Sequence, residues 1–432
     1  MSDRAIIKSF FGSRVAKQCG FLIGTQGFAM LLSFAFSILI TKGLDVAAYG
    51  MFRYAMTFLA LAMTLLQFGC PYSAARLLAL ENDRSAQKQL VGACVIMVII
   101  SAVVGTAFTL VALFAAEALG YHLPRILIWV APFLYVTLGQ YMIGSICQGL
   151  NRISLLSFQQ ILPYSLLLPL PAIQISLLGE YSLAAAIIGY VAVFSAVITV
   201  GFLKLGVAFT HWQSWLRVII GENRRTGFPI YIGGIFGVAS AQIIAMWVAQ
   251  YVDLTRYGQY ALALAVSAPL SVLVSSVGTV IFRSSSSSKS LSKRILTCSF
   301  GFGGLLGLVY FVATEKLLVR AFGSQYYPSV QMAQVLGIGS LMIGLGDIFQ
   351  RFLGAQGQGK WLGMAAVTTG VVGIVSAAIL LPKWDAYGAI VSSVLAAATY
   401  FGLMLTLYIR HTTRRGHGRV DLPASGLIAH KV

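Results

Sequence analysis

Apolar runs long enough to cross a bilayer as helices, about 20 residues each, recur from one end of this chain to the other. Twelve can be drawn, at Phe21 to Ile40, Tyr49 to Gly69, Leu90 to Ala116, Ile126 to Leu150, Ile153 to Leu178, Leu183 to Leu205, Phe228 to Tyr251, Tyr257 to Phe282, Ile295 to Ala313, Val330 to Phe352, Trp361 to Leu381 and Tyr387 to Tyr408. No soluble domain is left over between them. Only 10% of the 432 residues are charged and 58% are apolar, where soluble domains carry roughly a quarter charged. Such a chain cannot cover itself in water, so lipid is the solvent for most of its surface. The sequence predicts an all-α integral membrane fold of about twelve transmembrane helices. The first run counts as a span because it is too long for a signal-peptide core and lacks a clear cleavage site.

A net charge of +18 would suggest nucleic acid if it lay on one folded basic face. Here Lys and Arg lie almost wholly between the apolar runs, so no nucleic-acid partner is expected. With a cytoplasmic N-terminus, the outer connections hold Lys42, Arg125, Arg256, Lys316, Arg320 and Lys383, balanced by Asp45, Glu117, Glu180, Asp253, Glu315 and Asp385. Arg53 and Asp347, within the spans, cancel each other. The whole excess then falls on the inner side, the positive-inside pattern of a multi-pass protein. An even number of spans puts both termini in the cytoplasm. The cysteines Cys19, Cys70, Cys94, Cys147 and Cys298 have neither CxxC nor zinc spacing and read as small hydrophobes. Phosphate-loop and metallohydrolase motifs are missing, so no metal, no catalytic residue and no direct use of ATP is expected.

At an offset of 208 residues the two halves match twice. Asp45-x-x-x-Tyr49-Gly50-x-Phe52 answers Asp253-x-x-x-Tyr257-Gly258-x-Tyr260, and the turn Gln148-Gly149-Leu-Asn-Arg152 answers Gln356-Gly357-Gln-Gly-Lys360. Such residues are common in any helix turn, but both matches need the same offset. An offset of six helices makes the repeat parallel, with an axis along the membrane normal. The chain then divides into a basic, amphipathic N-terminal segment 1–20, a six-helix lobe 21–210, a linker 211–227 containing Trp212, Trp215, Arg217, Arg224 and Arg225, a second lobe 228–410, and a basic tail 411–432.

With Leu44-Asp45 to Tyr49-Gly50-Met-Phe, Gln148-Gly149-Leu-Asn-Arg152, Phe228-Pro229, Ala321-Phe322-Gly323-Ser-Gln-Tyr326-Tyr327 and Gln356-Gly357-Gln-Gly-Lys360, the chain resembles the Wzx-type flippases of lipid-linked polysaccharide repeat units. Their superfamily also holds the multidrug and toxic compound extruders and the peptidoglycan lipid flippase. The resemblance runs essentially through Tyr408. It implies a V-shaped pair of six-helix bundles around a central cavity, in a bacterial inner membrane. It further implies movement of an undecaprenyl-diphosphate-linked oligosaccharide to the outer leaflet for O-antigen, capsule or exopolysaccharide synthesis. Membrane lipids and a polymerase of the same pathway are the partners it suggests, and a proton or sodium gradient takes the place of a cofactor.

Charged groups at the centre of a membrane cost about 2.5–3.5 kcal/mol on insertion scales and default to functional hypotheses. By the resemblance Arg53 is a candidate phosphate clamp, suited by its forked donors; the alternative is that it reaches outward to headgroups. The repeat puts Ala261 at the matching place, and the first span lacks the cavity arginines of the peptidoglycan lipid flippase. Asp347 and Arg351 lie four apart on one helix face, either as a self-neutralising pair or with Asp347 as the ion-coupling carboxylate. Gln26, Gln242 and Gln350, with Gln67 and Gln140, are uncharged polar groups within spans that line a wet cavity or bond neighbouring helices. Arg53, Gln26, Gln242, Gln350 and Arg351 are thus the substrate-binding candidates. Pro163, Pro169 and Pro171 predict a bent fifth helix, while Gly233/Gly237 and Gly303/Gly307 predict close helix contacts. The basic run from Arg283 to Lys289 suits acidic lipid heads, though sidedness alone also explains it.

Two rivals remain. A multidrug extruder of the same superfamily would want cavity carboxylates for cations, and none lies in the first six spans. A membrane glycosyltransferase would need an outer-face polar constellation, for which the outer connections are too short. The expected sidedness has a direct check: alkaline phosphatase fused at Arg125 is active and fused after residue 416 is silent, while the reverse pattern overturns cytoplasmic termini.

Overall fold

The structure, a computed structural model, describes residues 14–120, 124–178, 181–285, 290–356 and 358–416. The N-terminal segment before Arg14, Ser286 to Lys289 of the basic run, Gly357 of the repeated turn and the tail beyond Gly416 lie outside the described residues. Among the described residues every regular element is a helix, as lipid demands when it offers the backbone no hydrogen-bond partners.

Among the described residues eleven stretches are long and apolar enough to cross a membrane, and the last is a hairpin of two helices. Within Gly359–Gly416 the backbone leaves helical geometry at Asp385 (φ 50°, ψ −138°), three residues after Pro382. A Cβ built on Gly388 would lie 2.3 Å from the Leu380 carbonyl oxygen, and one on Gly373 lies 3.4 Å from the Ala396 Cβ. In a straight helix residues 373 and 396 would be about 35 Å apart, so the chain reverses and the spans number twelve. The fourth span is divided by a 3-10 turn, Ala131–Phe133, at Pro132. The fifth is interrupted between Ile153–Leu167 and Leu170–Leu178, at Pro169. The ninth, Lys293–Phe322, lies at the periphery: only 11% of its apolar window is buried, and Leu305, Leu308 and Val312 face outward.

Two further helices stand where the sequence suggested connections. Gly69, with φ 79°, turns the chain out of the second span, Val46–Leu66, into the short helix Cys70–Leu80, which has Pro71 in its first turn. The linker is not a loop: Trp212–Glu222 is an amphipathic helix whose Ile219 is buried, and a wide turn at Asn223–Gly227 carries it straight into the seventh span, Phe228–Tyr251.

The first sequence repeat acquires a physical meaning here. Asp45 and Asp253 each cap a helix, accepting from the amides of Ala48 at 2.7 Å and Arg256 at 2.6 Å. Those helices, the second and eighth spans, cross where their repeated glycines meet. A Cβ on Gly50 would sit 2.0 Å from the Leu254 oxygen, and one on Gly258 2.6 Å from the Val46 oxygen. At the other end of the second span Tyr231 of the seventh donates to the Leu65 oxygen, the Asn223 amide donates to the Phe68 oxygen at 2.8 Å, and Arg76 pairs with Glu222 at 2.6 Å. The second span is therefore fastened to the second half of the chain at both ends. Of the predicted small-residue contacts, a Cβ on Gly307 would lie 2.7 Å from Leu341 of the tenth span, one on Gly303 3.8 Å from Leu345 and Val274, and one on Gly237 3.6 Å from Ala366.

Because backbone atoms occupy the space beside Gly50 and Gly258, Gly50→Ala and Gly258→Ala should each destabilise the detergent-solubilised protein by about 1–3 kcal/mol through overpacking. Gly301→Ala, which opens onto free space, serves as control in the same unfolding titration. Equal stability of Gly50→Ala and the control would contradict the crossing.

Candidate functional site

Small residues at helical spacing create a cavity in the interior. Gly234, Gly237, Ala241 and Ala245 on the seventh span, Ala261, Ala265 and Ala268 on the eighth, and Ala396 and Ala397 on the twelfth line one cavity of about 770 Å³. That volume falls within the roughly 300–1,000 Å³ of small-molecule sites. Its walls come from the seventh, eighth, tenth, eleventh and twelfth spans, and Arg53 and Thr57 are the lining residues from the first half of the chain. This cavity is thus built mainly by the second half of the chain, with the second span as its remaining wall.

Arg53 faces this cavity and not the outer headgroups. It lies within electrostatic reach of Tyr49, Tyr257, Tyr164 and Tyr190, and its buried Nε has no hydrogen-bond partner among the described residues. A buried donor left without a hydrogen bond is unfavourable unless a ligand acceptor completes it. Beside it the Thr57 and Tyr257 hydroxyls are 2.8 Å apart, and Tyr54 packs edge-on against Tyr257. The fastening of the second span at Gly50 and at Leu65 holds Arg53 and Thr57, which lie between those points, against the cavity.

Across the same cavity Asp347 of the tenth span accepts a 2.7 Å hydrogen bond from the Tyr400 hydroxyl. Asp347 and Arg351 do not form an ion pair; among the described residues the ion pair within contact distance is Arg76 with Glu222. Arg351 is absent from the cavity wall and its Cδ lies 2.8 Å from where Gly278 would carry a Cβ, so it is wedged against the eighth span. Their four-residue spacing put both on one face, but the Gly278 gap takes the arginine while Tyr400 takes the carboxylate.

Gln242 and Gln350 line the cavity. Gln26 does not: it is exposed on the first span, which contributes nothing to this wall. Gln67 caps the second span, and Gln140 lies elsewhere in the fourth. Four of the six singled-out residues, Arg53, Asp347, Gln242 and Gln350, therefore share one space. Sequence reading missed Tyr400, Tyr257 and the hydroxyls of Thr57, Ser240 and Ser340. The available signal is a stripe of Gly, Ala and Ser at three- and four-residue spacing on the seventh, eighth and twelfth spans.

The cavity is walled by membrane-spanning helices, is lined mainly by small apolar residues, and carries one cation and one carboxylate. The structure is similar to an inward-facing multidrug resistance MATE family transporter of the MOP superfamily (11% identity, 90% of this chain and 96% of that one, TM-score 0.67). It is similar to the lipid II flippase MurJ in an inward closed conformation (15% identity, 91% and 89%, TM-score 0.66) and to an outward-facing MATE transporter (13%, 95% and 98%, TM-score 0.58). No curated protein matches the sequence. The family model described as polysaccharide biosynthesis protein matches residues 15–289, and the chain belongs to that family. It is a multi-pass membrane protein with the fold of these MATE and MurJ structures.

The cavity predicts a pattern of chemical access. With the native cysteines replaced by serine, single cysteines at Gln242 and Ser340 should react with a water-soluble maleimide at least tenfold faster than one at Ala263, which is fully buried on the eighth span. Equal rates would contradict an open cavity.

Proposed function

We propose that the chain flips an undecaprenyl-diphosphate-linked oligosaccharide repeat unit across the bacterial inner membrane for surface polysaccharide synthesis, O-antigen, capsule or exopolysaccharide. The observation that carries the reading is Arg53, with its buried Nε lacking a hydrogen-bond partner, in the wall of a cavity that also carries hydroxyls, in a chain of the polysaccharide biosynthesis family. In this reading Arg53 takes the diphosphate through charge-assisted hydrogen bonds, and Gln242, Gln350 and the hydroxyls take the sugars. The polyprenyl tail stays in lipid. Asp347, held by Tyr400, couples the cycle to a proton or sodium gradient, and the two halves alternate access by rocking about the second span. The termini lie in the cytoplasm, on the basic side, where a polymerase of the pathway and anionic lipids are the natural partners.

A second reading is export of organic cations, favoured by a carboxylate within the cavity and by the likeness to multidrug transporters. Arg53 in the same wall opposes it by charge.

Proteoliposomes loaded with a fluorescent lipid-diphosphate oligosaccharide separate the two. Arg53→Ala should slow protected transfer at least tenfold, about 1.4 kcal/mol. Asp347→Asn should retain downhill transfer but lose its response to an imposed pH gradient. Absence of lipid transfer beside active export of an organic cation would replace the first reading with the second.

A further inference from the structure

A second cavity, about 300 Å³, opens far from the first in sequence and shares none of its lining. It lies at the basic end of the first half, between the start of the third span, Arg84–Ala118, the turn from the fourth span into the fifth, and the end of the sixth, Leu183–Leu205. Its walls are Arg84, Gln87, Lys88, Val91, Leu150, Arg152 and Leu205. Three are cations and none is an acid.

The fold holds these cations in place. Arg84 and Lys88 are four residues apart and share a helix face. The Lys88 stem runs over Gly206, whose φ is 78°; a Cβ there would lie 3.1 Å from the Lys88 Cε. The Lys88 carbonyl also accepts the Ala208 amide at 3.1 Å, closing the sixth span onto the third. Arg152 donates to the Lys204 carbonyl at 3.0 Å, while the Lys204 ammonium is drawn aside over the Phe158 ring at 4.2 Å. The neighbouring acids are engaged elsewhere. Asp83 accepts the amides of Ser85 at 3.1 Å and Ala86 at 3.0 Å, and Glu81 accepts the amide of Asp83 at 3.0 Å. The helix Ile153–Leu167 starts at Arg152 with no side-chain cap, so its first-turn amides add positive potential.

Three cations around a small cavity with no acid in its lining select a compact polyanion with several acceptor oxygens, and phosphate chemistry fits them. The apolar residues Val91, Leu150 and Leu205 share the cavity, and Leu203 on the same helix end is 71% exposed, as for a lipid-facing side chain. A lipid carrying phosphate can thus place its head among the cations and its chain along the span. We infer that this cavity is a binding site for a phosphate-bearing lipid headgroup, separate from the central cavity. It stands whatever the central cavity carries.

Native mass spectrometry of the full chain in detergent tests this, with dioctanoyl phosphatidylglycerol, farnesyl diphosphate, inorganic pyrophosphate and dioctanoyl phosphatidylcholine as probes. Measurements in the Arg53→Ala chain remove binding through the central cation. At least one of the two anionic lipids should be retained tenfold more tightly than the phosphatidylcholine, and more tightly than pyrophosphate. The triple substitution Arg84→Gln, Lys88→Gln, Arg152→Gln should abolish that preference, and Gly206→Ala, which displaces Lys88, should weaken it severalfold. Preference for phosphatidylglycerol identifies a membrane lipid, and preference for farnesyl diphosphate identifies a prenyl diphosphate; both support the site. The chain with its cations intact binding phosphatidylcholine equally well, or a folded triple variant keeping the anionic preference, overturns it. If the triple variant fails to fold, the same preference left unchanged by Gly206→Ala and by 0.5 M salt, roughly enough to screen charges beyond a few ångströms, also overturns it.

Discussion

Hydrocarbon offers a peptide group nothing to hydrogen-bond, and almost everything in this structure follows from that. The chain can cross lipid only as helices, so a space for a polar molecule must be made by what the helices present inward. Here that is glycine and alanine, at three- and four-residue spacing, on the seventh, eighth and twelfth spans. Small side chains leave room and their neighbours supply hydroxyls, amides and one charge of each sign. Large apolar side chains such as Leu305, Leu308 and Val312 turn outward, where lipid receives them, while others pack the core.

Close backbone contact does the remaining work. Gly50 and Gly258 let the second and eighth spans meet with nothing between them, and the Tyr231, Asn223 and Arg76 contacts repeat the attachment at the opposite end. The second span thereby becomes a wall of a cavity otherwise built by the other half of the chain. This arrangement gives Arg53 its setting: a guanidinium among tyrosines, facing an interior space, with Nε unpartnered. The carboxylate across the cavity is tied to Tyr400 and not to its helical neighbour, so the two charges remain available to different species.

The sequence carried the fold class plainly because span length and charge sidedness are one-dimensional signals. Twelve runs were visible, including the final hairpin that forms one hydrogen-bonded stretch broken at Asp385. The repeat at Gly50 and Gly258 was also visible, but not that the two copies touch, since pairing across 208 residues leaves no local trace. Arg53 and Asp347 stood out because charges within spans are rare. Gln26 and Arg351 show the limit of that logic: residue type gives polarity, while the direction a side chain faces depends on which helix lies beside it. Tyr400 was overlooked because a tyrosine in a span looks like packing until a carboxylate is found 2.7 Å away. The amphipathic linker helix was masked by its charges, and Cys70–Leu80 by its shortness.

The claim on which the rest turns is that the cavity beside Arg53 receives the diphosphate-linked sugar. A photoreactive benzoylphenylalanine in place of Ala265, on the cavity wall, tests it in cells that make the polysaccharide. Irradiation should yield an adduct whose mass contains a polyprenyl diphosphate and sugars, and Arg53→Ala should remove it. An adduct of phospholipid alone, or a glycolipid adduct that persists in Arg53→Ala, would contradict the role assigned to the cavity and its cation.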